Sequence, residues 1–290
     1  MQIQIKNEHL TCEFNEKGAE LISLKNNENI DFLWNGAEKF WSSHSPILFP
    51  IIGRIRNNTY NIDDTTFEMK IHGFARDLFF TLIDKRDNSC TFFLKYNEET
   101  LKQYPFKFNL KINYELIINT LNINYEVENI DEKDMYFSIG SHPGFNCPIF
   151  NDENFEDYYI EFSSNETMPR YLVSKDGLIK RDPVPFLNDE NKINLSKEFI
   201  LENDTIVLKD PKSEFLSLKN TKNPYEIKVK IKNHSYIGIW TASEESHFIC
   251  IEPWKGIADF EDSTGEFIKK DGLIKLGPQK KYTTNYSITI

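Results

Sequence analysis

The sequence predicts an all-β fold built as a sandwich of antiparallel strands. Three observations support this prediction: short runs in which apolar and polar residues alternate, turn residues such as Asn, Asp and Gly between those runs, and few helical patterns. Strands that follow one another through turns favour antiparallel sheets over βαβ units. Aromatic residues make up 14% of the 290 residues, and Phe and Tyr favour strands. We expect one domain over residues 1–290.

The clearest alternating run lies near the middle of the chain. Apolar positions alternate over 106–116, Asn119 and Thr120 interrupt the pattern, and the alternation resumes over 121–127, which predicts a hairpin. The segment 97–104 is expected to form about two helical turns before Pro105 ends them. The Asn- and Lys-rich stretch 151–194 is the most loop-like region and is expected to be an elaborated surface segment and not a domain boundary. Similar alternation predicts further strands at 2–5, 20–24, 91–96, 225–231 and 282–290.

Charge and cysteine content limit the possible partners. The formal net charge is −11, which disfavours nucleic acid and anionic membranes as partners. The N-terminal residues have no signal-peptide core, and the longest apolar run, near 46–52, is too short to span a bilayer. No C-x-x-C pair or zinc spacing occurs, so we expect reduced, mostly buried thiols in a cytoplasmic protein. The cysteines are Cys12, Cys90, Cys147 and Cys250.

Two segments in the first third of the chain depart from the alternating pattern. Residues 45–54 read SPILFPIIGR and end at Arg54, an arginine that follows an apolar run and a glycine. Residues 71–77 read IHGFARD, where His72 directly precedes a glycine and Arg76 follows. Functional groups beside Gly and Pro indicate shaped turns. The simpler alternatives are an ordinary surface or paired arginine at Arg54 and a satisfied core histidine at His72.

Two later segments hold an imidazole and a carboxylate. Residues 139–146 read IGSHPGFN, which fixes His142 on a constrained turn at a strand end, a suitable place for proton transfer. Residues 250–259 read CIEPWKGIAD, where Glu252 follows a buried strand and Trp254 offers a face for a sugar ring. Partial desolvation should raise the pKa of Glu252 and suit it as a general base. The alternatives are a turn-stabilising His142 and a buried ion pair at Glu252.

These four segments resemble the motifs of the aldose 1-epimerase (galactose mutarotase-like) superfamily, most closely its LacX-like branch. The matching motifs are SPILFPIIGR, HGFAR, SHPGFN and IEPWKGIAD, which occur in family order over residues 45–259. The resemblance implies a single β-supersandwich domain with a site in a cleft on a concave sheet. It also implies that no metal and no organic cofactor are needed.

The resemblance further implies roles for the matching residues. Glu252 would be the general base for the anomeric hydroxyl, and His142 the general acid for the ring oxygen. His72 and Arg54 would bind the substrate and stabilise charge at the ring oxygen. Asp204 is a loosely matched candidate for a further substrate contact.

The implied activity is the interconversion of the α and β anomers of a hexose or a hexose phosphate. The segment before Arg54 lacks the asparagine-rich surroundings of galactose mutarotases, so galactose is not implied. Arg76, together with Arg54 or Arg56, could bind a phosphate. The expected partner is a small sugar or sugar phosphate, and the expected assembly is a monomer or weak homodimer.

Three other readings of the same residues remain open. The protein could bind sugars without catalysis, as a regulatory protein on the same scaffold. It could cleave glycosides with Glu252 and a second carboxylate such as Asp259, since glycosidases need two carboxyl groups on either side of the bond. A metal site built from His and Glu is disfavoured because no H-E-x-x-H or similar cluster occurs.

Overall fold

The structure is a computed structural model that describes residues 3–196, 198–199, 202 and 205–290. Its one α-helix with described bounds is α1 (Glu98–Gln103), and four short 3₁₀ turns cover Arg56–Asn58, Ala75–Asp77, Phe155–Asp157 and Phe267–Lys269. The strands are β1 Ile3–Lys6, β2 Leu10–Phe14, β3 Leu21–Asn26, β4 Ile47–Leu48, β5 Thr59–Ile62, β6 Thr65–Glu68, β7 Thr81–Lys85, β8 Ser89–Lys95, β9 Phe108–Ile117, β10 Thr120–Asn129, β11 Met135–Phe137, β12 Ile139–Ser141, β13 Gly144–Asn146, β14 Tyr158–Arg170, β15 Val184–Asn194, β16 Thr205–Lys209, β17 Phe215–Asn220, β18 Glu226–Lys230, β19 Tyr236–Trp240, β20 Phe248–Lys255, β21 Ile274–Leu276 and β22 Lys281–Thr289.

The larger of two main sheets confirms the predicted hairpin. It has nine strands in the order β15-β14-β17-β18-β22-β10-β9-β8-β7, and its ladders are antiparallel. β9 and β10 pair along their whole length, and every second residue of each strand is buried. The strict period of two therefore reflects a sheet with one face against the core. The other strands predicted from alternation also form, as β1, β3, β8, β18 and β22.

The smaller main sheet has its strands in the order β16-β19-β20-β12-β4, with β13 also pairing to β20. β20 is buried along nearly its whole length, which shows that both of its faces are covered. Ile249 and Ile251 point to one face and join the main apolar core together with Ile112 and Ile123 of the larger sheet. The core thus lies between the two sheets, and truncating one of these side chains to Ala would cost about 2–5 kcal/mol.

The helix α1 begins and ends as the sequence predicts. Asn97 caps its first turn by accepting a hydrogen bond from the Thr100 amide at 2.9 Å, and Pro105 follows its last residues. No helix among the described residues is long and apolar enough to cross a membrane.

The loop-like character predicted for 151–194 is wrong for much of this stretch. This region contains β14 and β15, which pair with each other at one edge of the larger sheet. β15 is an edge strand whose residues are mostly exposed, and β14 carries three consecutive exposed residues. Regular alternation is limited to Tyr158, Ile160 and Phe162, and most of the remaining hairpin is exposed, so the usual signal for a strand is short.

Candidate active site

The register of β20 brings His142 and Glu252 together. Gly140 of β12 pairs with Trp254, and Gly144 of β13 pairs with Cys250, so the same antiparallel register places His142 opposite Glu252. His142 Nε2 lies 3.2 Å from Glu252 Oε2, and both side chains are buried. Residues 110 positions apart in the chain thus face each other because two short strands, β12 and β13, pair one after the other along the same edge of β20.

The alternation of β20 decides which side chains face the cleft. Cys250, Glu252 and Trp254 lie on the face opposite the main core, since successive strand residues point to opposite faces. The indole ring of Trp254 lies over Gly238 of β19: a Cβ at Gly238 would come within 2.5 Å of the ring. Gly140 flanks the same ring, where a Cβ would be 2.9 Å from Cδ1. Because neither glycine has a side chain, the indole ring of Trp254 can lie flat and form the floor of the cleft.

His72 is held in an uncommon backbone conformation. Its φ is +64°, in the left-handed region that is costly for residues other than glycine. Its amide donates to the Gly53 carbonyl at 2.8 Å, and the Gly53 amide donates to Nδ1 of its ring at 3.1 Å. Burial, with Arg76 and Arg54 nearby, lowers the pKa of His72 to about 3. The ring is therefore neutral, and because Nδ1 accepts, the proton lies on Nε2, which becomes a donor.

Two arginines lie in the same pocket. Arg76 donates to Ser43 Oγ at 2.6 Å, and burial lowers its pKa without removing its charge. Arg54 donates to Asn58 Oδ1 at 2.9 Å, while its Nε is buried and has no hydrogen-bond partner in the described part of the chain. Each guanidinium is thus held by one neighbour and keeps further N–H groups for a ligand.

The pocket that these residues line has a volume of about 450 Å³. Such a volume is typical of small-molecule sites. Arg54, His72, Arg76, His142, Glu252 and Trp254 all line it, as the sequence predicts that they converge. The remaining candidate, Asp204, lies outside the described residues, and the next residue, Thr205, lines the pocket.

The His142–Glu252 pair is electrostatically unusual. Burial raises the pKa of Glu252 well above its ordinary value, and the Trp254 indole and the Arg76 guanidinium act in the opposite direction. Burial, followed by the nearby His72 and Arg76, lowers the pKa of His142 well below its ordinary value. Both shifts favour the neutral form of each group, so the pair keeps one proton, and a transfer over 3.2 Å converts it into an imidazolium–carboxylate pair.

Sequence reasoning missed several residues of the site. Trp41 and Trp240 flank the ring of His142, with centroids 4.8 Å and 5.4 Å away. A short turn over 173–177 forms another wall, and Gly177 lies against Arg54. No motif marks these residues. The one sequence signal for these missed residues was the presence of aromatic residues near the buried strand β20 (Phe248–Lys255).

Asp259, the second carboxylate considered for glycoside cleavage, is engaged elsewhere. It forms an ion pair with Lys270 at 3.1 Å in which both side chains are 4% exposed, and it accepts from the Arg56 amide. The group opposite Glu252 is the imidazole of His142, as described above. This arrangement excludes Asp259 as the second catalytic carboxylate beside Glu252 in glycoside cleavage.

Fold and site together define an antiparallel β-sandwich protein with a buried imidazole–carboxylate pair in a pocket of small-molecule size. The chain belongs to the aldose 1-epimerase family, since the family model described as Aldose 1-epimerase matches residues 1–275.

Individual relatives agree with this membership. Protein LacX (chromosomal) of Lactococcus lactis subsp. lactis is 33% identical over 298 residues, which cover 100% of this chain and 99% of the relative. The structure is similar to a galactose mutarotase related enzyme from Lactobacillus acidophilus, with a TM-score of 0.95, 34% identity and coverage of 100% and 97% of the two chains. A galactose mutarotase-like protein from Lactobacillus casei ATCC 334 gives a TM-score of 0.93 and 30% identity, covering 100% and 99%.

Proposed function

We propose that the protein is an aldose 1-epimerase that interconverts the α and β anomers of a hexose or hexose phosphate by general acid–base catalysis. The observation that carries the proposal is the buried pair of His142 and Glu252, 3.2 Å apart at the floor of a pocket that also holds His72, Arg54 and Arg76. Four buried cysteines without disulfides are consistent with a cytoplasmic enzyme.

The reaction needs one proton removed and one delivered. Glu252, as the carboxylate, takes the proton of the anomeric hydroxyl, and His142, as the imidazolium, protonates the ring oxygen. The ring opens, the aldehyde rotates about the C1–C2 bond, and the hydroxyl attacks the other face of the carbonyl while both proton transfers reverse. Each of the two groups can supply roughly 10²–10⁴-fold of rate.

The other residues would hold the sugar and the charge that develops on it. His72 offers its Nε2 proton to a substrate oxygen, since its Nδ1 already accepts from Gly53. The free N–H groups of Arg54 and Arg76 suit hydroxyl or phosphate oxygens. Trp254 forms an apolar floor on which the carbon-bound hydrogens of a sugar ring can pack.

Exchange spectroscopy by NMR tests the proposal directly, because it measures the interconversion of anomers at equilibrium. A panel of free and 6-phosphorylated hexoses is compared with and without the protein. We expect at least one sugar to exchange faster with wild-type protein and Glu252→Gln to lower that rate by about 10²–10⁴-fold. Glu245→Gln is the matched control, because Glu245 is 70% exposed and pairs with Lys39 on the surface.

The outcomes separate an enzyme from a sugar-binding protein. If wild type and Glu252→Gln both bind a sugar but neither accelerates exchange, the protein binds sugars without catalysis. If no sugar in the panel exchanges faster than in buffer, the proposal is wrong.

A further inference from the structure

The cleft face of β20 carries a third donor atom next to the acid–base pair. Cys250 and Glu252 are two residues apart on this strand and point to the same face, and Cys250 pairs with Gly144, two residues after His142. One ligand atom from each of His142, Cys250 and Glu252 lies within 4.8 Å of the others, and all three residues are buried. Of the three, only Cys250 plays no part in the mechanism proposed above.

We infer that His142, Cys250 and Glu252 form a site for a soft divalent cation of the zinc type, and that an ion bound there inhibits the enzyme. Imidazole nitrogen, thiolate sulfur and carboxylate oxygen are the donors that zinc uses in proteins. Around a tetrahedral ion with ordinary zinc–ligand lengths, the donor atoms stand about 3.3–3.7 Å apart. His142 Nε2 and Glu252 Oε2 are already 3.2 Å apart.

The acid–base pair keeps unused hydrogen-bonding capacity. Glu252 Oε2 and His142 Nδ1 are buried without a hydrogen-bond partner among the residues that the structure describes. His142 and Glu252 line the 450 Å³ pocket, whereas Cys250 lies behind them and is fully buried against Trp34 and Phe248.

Binding of the ion changes the chemistry of the pocket. The Cys250 thiol and the His142–Glu252 pair each release one proton to solvent, so that a thiolate, a neutral imidazole and a carboxylate each donate a lone pair to the metal. Three protein ligands leave a fourth position for water or a sugar hydroxyl. The imidazole and the carboxylate can then no longer exchange protons with a sugar. The metal site stands on geometry alone, whereas the inhibition rests on the proposed function.

Cobalt(II) is the probe for this site, because its spectrum reports both geometry and sulfur ligation. The full chain is titrated with Co²⁺ under reducing conditions. We expect one equivalent to bind, with the visible bands of a tetrahedral ion and a near-ultraviolet thiolate-to-cobalt charge-transfer band. Cys250→Ala should lose the charge-transfer band and bind at least about 100-fold more weakly, since losing even an outer-shell partner costs 10–100-fold.

Cys147→Ala is the matched control, because Cys147 is also buried and free, and it should keep the charge-transfer band. Circular dichroism and thermal unfolding check that each variant folds, and Cys250→Ser, which nearly preserves the volume, replaces Cys250→Ala if that variant is unstable. The inference is overturned if wild type shows no charge-transfer band, or if the band survives the loss of the Cys250 thiol or disappears with Cys147→Ala.

The inhibition is measured separately. Zn²⁺ should slow anomer exchange by wild type and by Cys147→Ala, whereas Cys250→Ala should need at least about 100-fold more Zn²⁺ for the same effect. Equal sensitivity of all three proteins would refute the inhibition. If wild type does not catalyse exchange, the proposed function fails, and the cobalt spectrum still decides the metal site.

Discussion

His72 shows how a single residue is strained for its position in the pocket. Its φ of +64° sits beside the φ of +76° of Gly73, where a Cβ would come within 2.2 Å of the Phe49 carbonyl oxygen. The two bonds with Gly53 hold His72 in this conformation. Non-glycine residues in such conformations cluster at functional sites, where the surrounding structure maintains them. The strain therefore supports a direct role for the ring at the substrate.

Substitution of His72 should reveal the strain as a difference between two small residues. Both His72→Ala and His72→Gly remove the ring and its bond to the Gly53 amide. Only alanine keeps the penalty of a Cβ at positive φ, so His72→Gly should be more stable than His72→Ala by about 1–2 kcal/mol. Urea unfolding at equilibrium measures the unfolding free energy of both variants. A glycine variant that is less stable than the alanine variant, as expected at most exposed sites, would contradict the strain.

The His142–Glu252 pair makes a prediction about the pH dependence of activity. Burial lowers the pKa of His142, so a second proton binds only at low pH, and it raises the pKa of Glu252, so the last proton leaves only at high pH. The pair therefore keeps the one proton that the mechanism needs over a broad range around neutrality. We expect kcat/KM for anomer exchange to be flat through neutral pH and to fall on both sides. A single transition near pH 6.5, the ordinary value for histidine, would contradict this view.

At the scale of elements, the site depends on β20 and its neighbours. This strand supplies Glu252 and Trp254 from one face and core residues from the other. β12 and β13 pair with it on either side of His142, and β19 places Gly238 opposite Glu252. Because one ladder fixes all of these positions, the geometry of the acid–base pair is a consequence of strand register.

Gly238 offers a test of this dependence. In Gly238→Ala the new Cβ would come within 2.5 Å of the Trp254 ring, so the ring must move. We expect an overpacking cost of about 1–3 kcal/mol in unfolding free energy and an increase in KM for the sugar, because the floor of the pocket shifts. Gly277→Ala is the control, since its Cβ would have no neighbour closer than 3.8 Å. Equal effects of the two substitutions would show that Trp254 is not held by Gly238.

A comparison of individual strands shows which elements of the fold could be predicted from the sequence. Strands such as β9 and β10 were predictable because one face is buried and the other is not, so every second residue is apolar. β14 and β15 were not, because β15 is an exposed edge strand and β14 alternates regularly only over Tyr158–Phe162. The convergence of His142 and Glu252 was expected from family motifs. The proximity of Cys250 to His142 was not, because it depends on a register that runs across the break between β12 and β13.

At the scale of the whole molecule, the pocket reduces stability. Glu252, His142 and His72 are removed from water without full compensation, since each has its pKa shifted toward the neutral form mainly by burial. For His72 the stability falls as the pH drops from about 6.5 toward about 3, because the unfolded ring gains a proton that the folded ring does not. For Glu252, whose pKa is raised, the stability falls as the pH rises above the ordinary glutamate value. Such a conflict between stability and activity is common at functional sites.

Glu252→Gln should therefore stabilise the protein in a way that grows with pH. Above the ordinary glutamate pKa of about 4.5 the unfolded carboxyl loses its proton, while the raised pKa keeps the folded one protonated. Wild-type stability then falls by about 1.4 kcal/mol for each pH unit up to the folded pKa, and glutamine has no such term. Near pH 4 the two proteins should have nearly equal stability, and the variant should become progressively more stable than wild type as the pH rises to 7. Urea unfolding at several pH values measures this difference, with the exposed Glu245→Gln as a control that should leave the pH dependence unchanged. A variant that loses stability relative to wild type as the pH rises would mean that the buried carboxylate is stabilised in its charged form by Arg76 and His142, and that burial does not control this site.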